Sequence, residues 1–156
     1  MADFDYICIG GGSGGIASAN RAAMYGKKVA LVEGAQMGGT CVNVGCIPKK
    51  MMHTAALLGE ARKDQEAFGW PKFEGKHSWS KMVQGINAKI QSMNRGYESQ
   101  LKSKLVDYYN ALGSFVDKHT ISVRHTFTTT NTTTTNTQTR RSRTVTEKKR
   151  PRQQDS

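Results

Sequence analysis

Apolar residues crowd positions 4 to 9, "FDYICI", in a short run hardly broken by polar side chains. Such a run fits a buried strand of a parallel sheet. The glycine-rich stretch "GGGSGG" follows, and then Ile16, Ala19, Ala22 and Ala23 return at helical spacing. A helix is therefore expected from about Gly14 to Tyr25, with small residues for close contact with a sheet and Gly26 as its stop. "KKVALVE" reads as a second strand ending at Glu33. Two parallel strands joined by a helix make a right-handed βαβ unit.

After a short loop, the segment "GTCVNVGCIPKK" opens a second helical stretch that continues through "MMHTAALLGEARKD". The pattern breaks at "FGWPKFEGKH". Trp79, Met82, Val83, Ile86, Ile90, Met93, Tyr97 and Leu101 then recur every three or four residues. That period predicts one long amphipathic helix from about Ser78 to Lys104 with a single buried face. "LVDYYNALGSFVDKHTISV" reads as short strands separated by turns, and Val123 is the last residue placed in the fold. The remainder is Thr/Asn-rich and then basic. It cannot bury enough apolar surface to offset the entropy of ordering, so residues 124–156 are expected to be a disordered tail.

Charge changes the picture once it is divided along the chain. The net charge is +11 over 156 residues. Residues 1–123 hold 15 Lys/Arg against 10 Asp/Glu, whereas 124–156 hold 8 against 2. The basic balance therefore belongs largely to the tail and says little about the folded part. Its cluster "RRSR…KKRPR" resembles a nucleic-acid patch, but no aromatics are interleaved with it, so a solvated tail is the preferred reading and no nucleic-acid partner is assigned. Three cysteines, an odd number, exclude a disulfide framework. Asp3 and Asp5 stand where a signal peptide would need basic residues, and no apolar run approaches a membrane span. A reducing, cytoplasmic compartment is the default expectation.

Candidate chemistry begins with Gly10-x-Gly12-x-x-Gly15, placed directly after a strand and opening a helix. Gly10 permits the tight turn, Gly12 lets the backbone approach a pyrophosphate, and Gly15 lets the helix pack on the strand. The helix start then offers the phosphates its N–H groups and positive dipole end. Glu33 closes the second strand, where an acid would bind ribose hydroxyls. A glycine-rich turn without ligand is the alternative, but strand, helix and acid all stand where a dinucleotide needs them. An acid favours an unphosphorylated ribose, so FAD or NAD fits this site better than NADPH.

Cys41 and Cys46 are five residues apart. Zinc would need four ligands, and only His53 lies close in sequence, so no metal is assigned. An inert buried pair is the bland alternative. Gly38, Gly39, Gly45 and Pro48 instead mark an irregular turn at a helix start, a setting that activates thiols, and a redox pair is the preferred reading beside a dinucleotide. Lys49, three residues after Cys46, shares its helix face; a solvated lysine is the alternative and is the reading for Lys50. Tyr97 lies on the apolar face of the long helix and fits the core. Cys8 reads as a small buried residue. His77, His119 and His125 are assigned nothing.

"GGGSGG" after the first strand and "GGTCVNVGCIPKK" after the second together resemble the flavin-dependent disulfide reductases of the pyridine-nucleotide family, over roughly residues 3–123. "IASANRAAMYG" and "GAQM" look like glutathione reductase. "CIPKKMMHTAALLG", "FGW", "HSWSKMV" and "YNALGSFVDKHT" look like the large thioredoxin reductases, which the greater number of such segments favours. The resemblance implies an α/β, Rossmann-like FAD-binding fold, incomplete, with a long helical excursion over 1–123 and the tail over 124–156. It implies that Gly10, Gly12, Ser13, Gly14, Gly15 and Glu33 hold the ADP half of FAD. Thr40 and Lys49 would touch the flavin side, and Gly113 matches a position whose backbone lies along the cofactor. Cys46 would form the charge-transfer contact with the flavin, Cys41 would be the interchange thiol, and Lys49 would tune hydride transfer. Tyr97 matches a substrate-gating tyrosine.

NADPH is the implied electron donor, thioredoxin or glutathione disulfide the implied substrate, and a homodimer the implied full-length assembly. No second G-x-G-x-x-G and no dimerisation domain are recognisable downstream. A truncated product is therefore expected, with 124–156 read from intron, repeat or shifted frame. Such a chain would be inactive alone, able to bind a nucleotide or to interfere with a full-length subunit.

Overall fold

The computed structural model describes residues 2–124 and 142–147. Seven strands and four α-helices follow one another as β1 (Ala2–Phe4), β2 (Tyr6–Ile9), α1 (Ser13–Met24), β3 (Val29–Glu33), α2 (Gly39–Asn43), α3 (Cys46–Asp64), α4 (Trp79–Ser103), β4 (Asp107–Asn110), β5 (Leu112–Asp117), β6 (Thr120–Arg124) and β7 (Ser142–Glu147), with a 3-10 turn at Gln65–Phe68. Strands β2, β3 and β4 form a wholly parallel sheet in that order. The other four form a second sheet in the order β1-β7-β6-β5, antiparallel except for the β1–β7 pair. The α/β class and the βαβ unit β2-α1-β3 agree with the hydrophobic pattern.

Strand β3 organises the core. Val29, Ala30, Leu31 and Val32 are all buried, because side chains alternate across a sheet that is covered on both faces. Val29 and Leu31 pack against Ile16 and Ala19 of α1, with Met37, Leu101 and Val106. Ala30 and Val32 pack the opposite way, against Phe4, Ala111, Ile121, Val123 and Val145 of the second sheet. A third cluster joins Val42 of α2 to Ile86 and Ile90 of α4.

Four details differ from the sequence reading. The run from Phe4 to Ile9 is two strands in different sheets, because Asp5 turns the chain. Asp5 N donates to Lys28 O at 2.8 Å, and Asp5 Oδ2 accepts from Lys28 N at 2.9 Å. Strand β2 is also more open than a buried strand, with Tyr6 37% and Ile9 40% exposed. It forms the edge of its sheet among the described residues. Trp79, assigned to the buried face of α4, is 64% exposed; it is the first helical residue and lines an open groove with Met52, Ala55 and Gly59 of α3. Part of the expected tail is a strand. Ser142–Glu147 fills the space between β1 and β6 and buries Val145, one of the few apolar residues there. The rest of the segment assigned to disorder beyond Arg124 lies outside the described residues.

The long helix matches its expected span, with the Ser78 side chain capping it by accepting from Lys81 N. Its far end and that of α1 close in the same way. In α1, Gly26 N donates to Ala23 O and Lys27 N to Ala22 O, with Gly26 left-handed at φ 71°. In α4, Leu105 N donates to Lys102 O and Val106 N to Leu101 O. Here the left-handed residue at φ 56° is Leu105 rather than glycine. This Schellman closure suits glycine because a Cβ is strained there. Leu105 is 86% exposed, so its side chain returns little packing energy. Leu105→Gly is expected to stabilise the chain by about 0.5–1 kcal/mol, measured as a higher urea midpoint at unchanged slope; a lower midpoint would refute the strain argument.

Candidate functional site

Strand β2 runs into the elbow at Gly10, whose N–H donates to Val32 O at 2.7 Å and whose φ of 109° turns the chain out of the sheet. Helix α1 starts two residues later with Gly12 as its N-cap. A Cβ on Gly15 would lie 1.9 Å from Gly10 O, so only glycine lets α1 sit this close to the turn. At Gly10 and Gly14 an added Cβ would meet nothing within 4 Å. No side chain caps the first turn of α1, and no acidic residue stands in it. The N–H groups that open a helix lack intrahelical partners, and Ser13 and Gly14 at this start are exposed, a setting suited to an anion.

Glu33 reaches into this elbow from the end of β3. Its Oε2 accepts from Gly11 N at 2.6 Å and its Oε1 from Ala35 N at 2.7 Å. Each carboxylate oxygen has a further lone pair, so the brace leaves room for a hydroxyl donor.

The cysteine segment is fastened to the same elbow. Gly38 bridges to Gly12 in parallel register and its N–H donates to Gly11 O at 2.7 Å. A Cβ on Gly39 would come within 2.8 Å of Gly12 Cα, and one on Gly11 within 2.5 Å of Met37 Sδ. Gly38 and Gly39 are left-handed, at φ 97° and 61°. From here α2 carries Thr40 and Cys41, and after Val44 and Gly45 the first residue of α3 is Cys46. A Cβ on Gly45 would strike Thr40 O at 2.8 Å. This close passage folds α3 back so that Cys46 meets Cys41.

Both thiols are free, and the Cys46 side chain, as a hydrogen-bonding neighbour, is the first cause that raises the Cys41 thiol above its ordinary range, with desolvation adding to it. A helix start would push the other way, so for Cys41 the neighbour outweighs the backbone.

The remaining expected residues divide between this site and its surroundings. Thr40 and Lys49 are exposed, Lys49 one turn along α3 from Cys46. Gly113 lies in β5 against Val32 and Ile9, where a Cβ would be 3.2 Å from Val32 Cγ1; this is the C-terminal end of β2, just before the elbow. The ring of Tyr97 packs between the α1–β3 cluster and the α2–α4 cluster, a core position. Cys8 is half-buried, its sulfur near the carbonyls of Gly10 and Gly15. Among the described residues, no three His, Cys, Asp or Glu side chains gather as metal ligands. No helix among them is long and apolar enough to cross a membrane.

Three residues of the site escaped the sequence reading. Gly11 was hidden inside a glycine run. Asn43 and Asn94 hold α2 in place: Asn43 Nδ2 donates to Gly39 O at 2.9 Å, and Asn94 Nδ2 donates to Met37 O at 2.5 Å and to Asn43 Oδ1 at 3.0 Å. The available signal was a polar residue on the apolar stripe of α4, between Ile90 and Tyr97.

An α/β unit with an uncapped glycine elbow, and a thiol pair joined to that elbow by backbone contacts, defines the class. The chain belongs to the pyridine nucleotide-disulphide oxidoreductase family, whose model matches residues 4–139. It is 51% identical over 129 residues to the thioredoxin reductase SEP1 of Emiliania huxleyi, a match covering 77% of this chain. The chain spans about a quarter of that relative's length, 26%.

Replacing Cys46 by alanine removes the neighbouring side chain that raises the Cys41 thiol above its ordinary range. The pH profile for alkylation of Cys41 by iodoacetamide, read by mass spectrometry, is expected to move to lower pH in Cys46→Ala. A profile that stays in place or moves up would show that the pair is not coupled.

Proposed function

We propose that this chain is the flavin-side portion of an NADPH-dependent FAD disulfide reductase that acts on thioredoxin disulfide through a Cys41–Cys46 couple. The observation that carries this reading is the Gly12–Gly38 bridge, which ties the start of the cysteine-bearing helix to the phosphate-ready elbow. The substrate class is supported by the relative named thioredoxin reductase.

The residues present fit FAD. The N–H groups of Ser13, Gly14 and Gly15 would take its pyrophosphate, in a space that no side chain caps. Gly10 and Gly12 would let the backbone approach it, and the remaining lone pairs of Glu33 would accept from ribose. Thr40, Lys49 and Gly113 would flank the isoalloxazine end. When bound, the flavin would supply two-electron chemistry between a nicotinamide and a disulfide.

The protein's own contribution is thiol–disulfide exchange. Cys41 gives up its proton to a base, and its thiolate attacks one sulfur of the incoming disulfide, releasing the other as a thiol. Cys46 then attacks the Cys41 sulfur, releases the second thiol and leaves the Cys41–Cys46 disulfide. The two electrons that reduce the substrate come from oxidation of the pair. Because Cys41 keeps its proton above the ordinary thiol range, the first attack gains rate as pH rises until that proton is lost.

Titration of the chain with FAD, followed by quenching of flavin fluorescence, tests the reading. Saturable binding is expected. Gly14→Glu should weaken it at least tenfold, because a carboxylate in the first turn repels the pyrophosphate while suiting the helix dipole, so the fold is kept. No binding by the folded chain, or equal binding by the variant, would overturn the assignment.

A further inference from the structure

Helix α2 has five residues, Gly39–Asn43, far too few to hold together by themselves. Cys41 is its middle residue, so whatever fixes α2 also fixes one thiol of the pair. Val42 supplies an apolar anchor against Ile86 and Ile90 of α4. The rest of the hold is polar and runs through two amides.

Asn43 Nδ2 faces the carbonyls of Gln36, Met37 and Gly39 at 3.3, 3.2 and 2.9 Å. Gln36 and Met37 belong to the turn that leads from β3 into α2, and Gly39 is the first residue of α2 itself. Asn94, 51 residues further along and on α4, donates its Nδ2 to Asn43 Oδ1 at 3.0 Å and to Met37 O at 2.5 Å. Both side chains are half-buried. An amide is nearly symmetric in shape, so Asn43 needs a reason to turn its nitrogen rather than its oxygen toward those carbonyls. Asn94 supplies it by placing a donor against Asn43 Oδ1.

We propose that Asn94, acting through Asn43, is a positioning residue that sets the dithiol–disulfide equilibrium of Cys41 and Cys46. The proposal rests on the reading of these cysteines as a redox pair. A disulfide requires narrow Cα and Cβ separations, and Cys41 and Cys46 stand on different helices separated by Val44 and Gly45. The Asn94–Asn43 clamp holds the helix of Cys41 against α4 and so keeps its sulfur presented to Cys46. Without it α2 samples other orientations, the effective concentration of one thiol toward the other falls, and the disulfide becomes easier to reduce.

The experiment equilibrates the whole chain in buffers of glutathione and glutathione disulfide and counts Cys41–Cys46 disulfide by acid quench, alkylation and mass spectrometry. Each cycle converts two protein thiols and one glutathione disulfide into the protein disulfide and two glutathiones. Asn94→Leu and Asn94→Asp, which remove the donors at similar volume, are expected to lower the equilibrium constant about tenfold, equivalent to a potential roughly 30 mV more oxidising. Adding Asn94→Leu to Asn43→Ala should lower it little further, since both act through one clamp. Folding of each variant is checked by circular dichroism. A folded Asn94 variant whose equilibrium stays within twofold of the parent overturns the proposal. So does loss of fold in both variants, which would make Asn94 a fold residue rather than a tuning one. A parent chain that forms no Cys41–Cys46 disulfide in any buffer overturns instead the redox reading beneath it.

Discussion

The site depends on bare backbone meeting bare backbone where Gly38 and Gly39 lie against Gly11 and Gly12. A Cβ on Gly39 would come within 2.8 Å of Gly12 Cα, and one on Gly11 would collide with Met37 Sδ. The contact therefore admits no side chain at either position. What joins the two segments is a parallel bridge and the Gly38 N to Gly11 O hydrogen bond, interactions that leave little slack. Glu33 adds a second tie by accepting from Gly11 N. Because β2 and β3 are parallel, their C-terminal ends emerge side by side, which is where such sheets place ligands. The exit of β2 becomes the elbow and the exit of β3 becomes the cysteine segment. The glycine elbow and the thiol pair then share one corner of the molecule because two strands point the same way.

Strand β3 makes that corner rigid. Leu31 faces the helices and Val32 the second sheet, both fully buried. Val32 serves three neighbours at once: its carbonyl accepts from Gly10 N, its side chain joins the core between the sheets, and its Cγ1 lies under Gly113. A shift of β3 along its axis would disturb the turn, the core and the floor of the site together. A parallel sheet covered on both faces tolerates such a shift poorly.

Much of this was legible in the order of residues, and the rest was not for identifiable reasons. The period of apolar residues from Met82 to Leu101 marks α4 because only one face of that helix is covered. The glycine spacing and the placement of Glu33 mark the elbow because each position carries a separate steric or polar demand. Asp5 was unreadable as a break: one acid in an apolar run looks like a tolerated exception until Lys28 supplies its partner from the residue just before β3. Strand β7 was hidden by composition. Its apolar contribution is Val145 alone among described side chains, and its place comes from backbone pairing with β1 and β6, which no side-chain pattern records. Asn94 was hidden for the opposite reason, since a stripe of apolar residues draws attention away from the polar one within it.

Helix α4 is what turns separate clusters into one body. Its start packs Met82 and Ile86 with α2 and α3, its middle reaches Asn43 through Asn94, and its end buries Leu101 beneath β3 and α1. Tyr97 stands where the second and third of these meet and contacts both clusters. Among the described residues, this helix of 25 residues is the single element long enough to span these contacts, at about 1.5 Å of rise per residue. The Schellman closure then returns the chain directly into β4 through Val106, which packs in the same cluster as Leu101. The helix is thus anchored at its far end to the parallel sheet and at its middle to the thiol-bearing helix. Any tilt of α4 must move Asn94 relative to Met37 and Asn43, and so must be felt at Cys41.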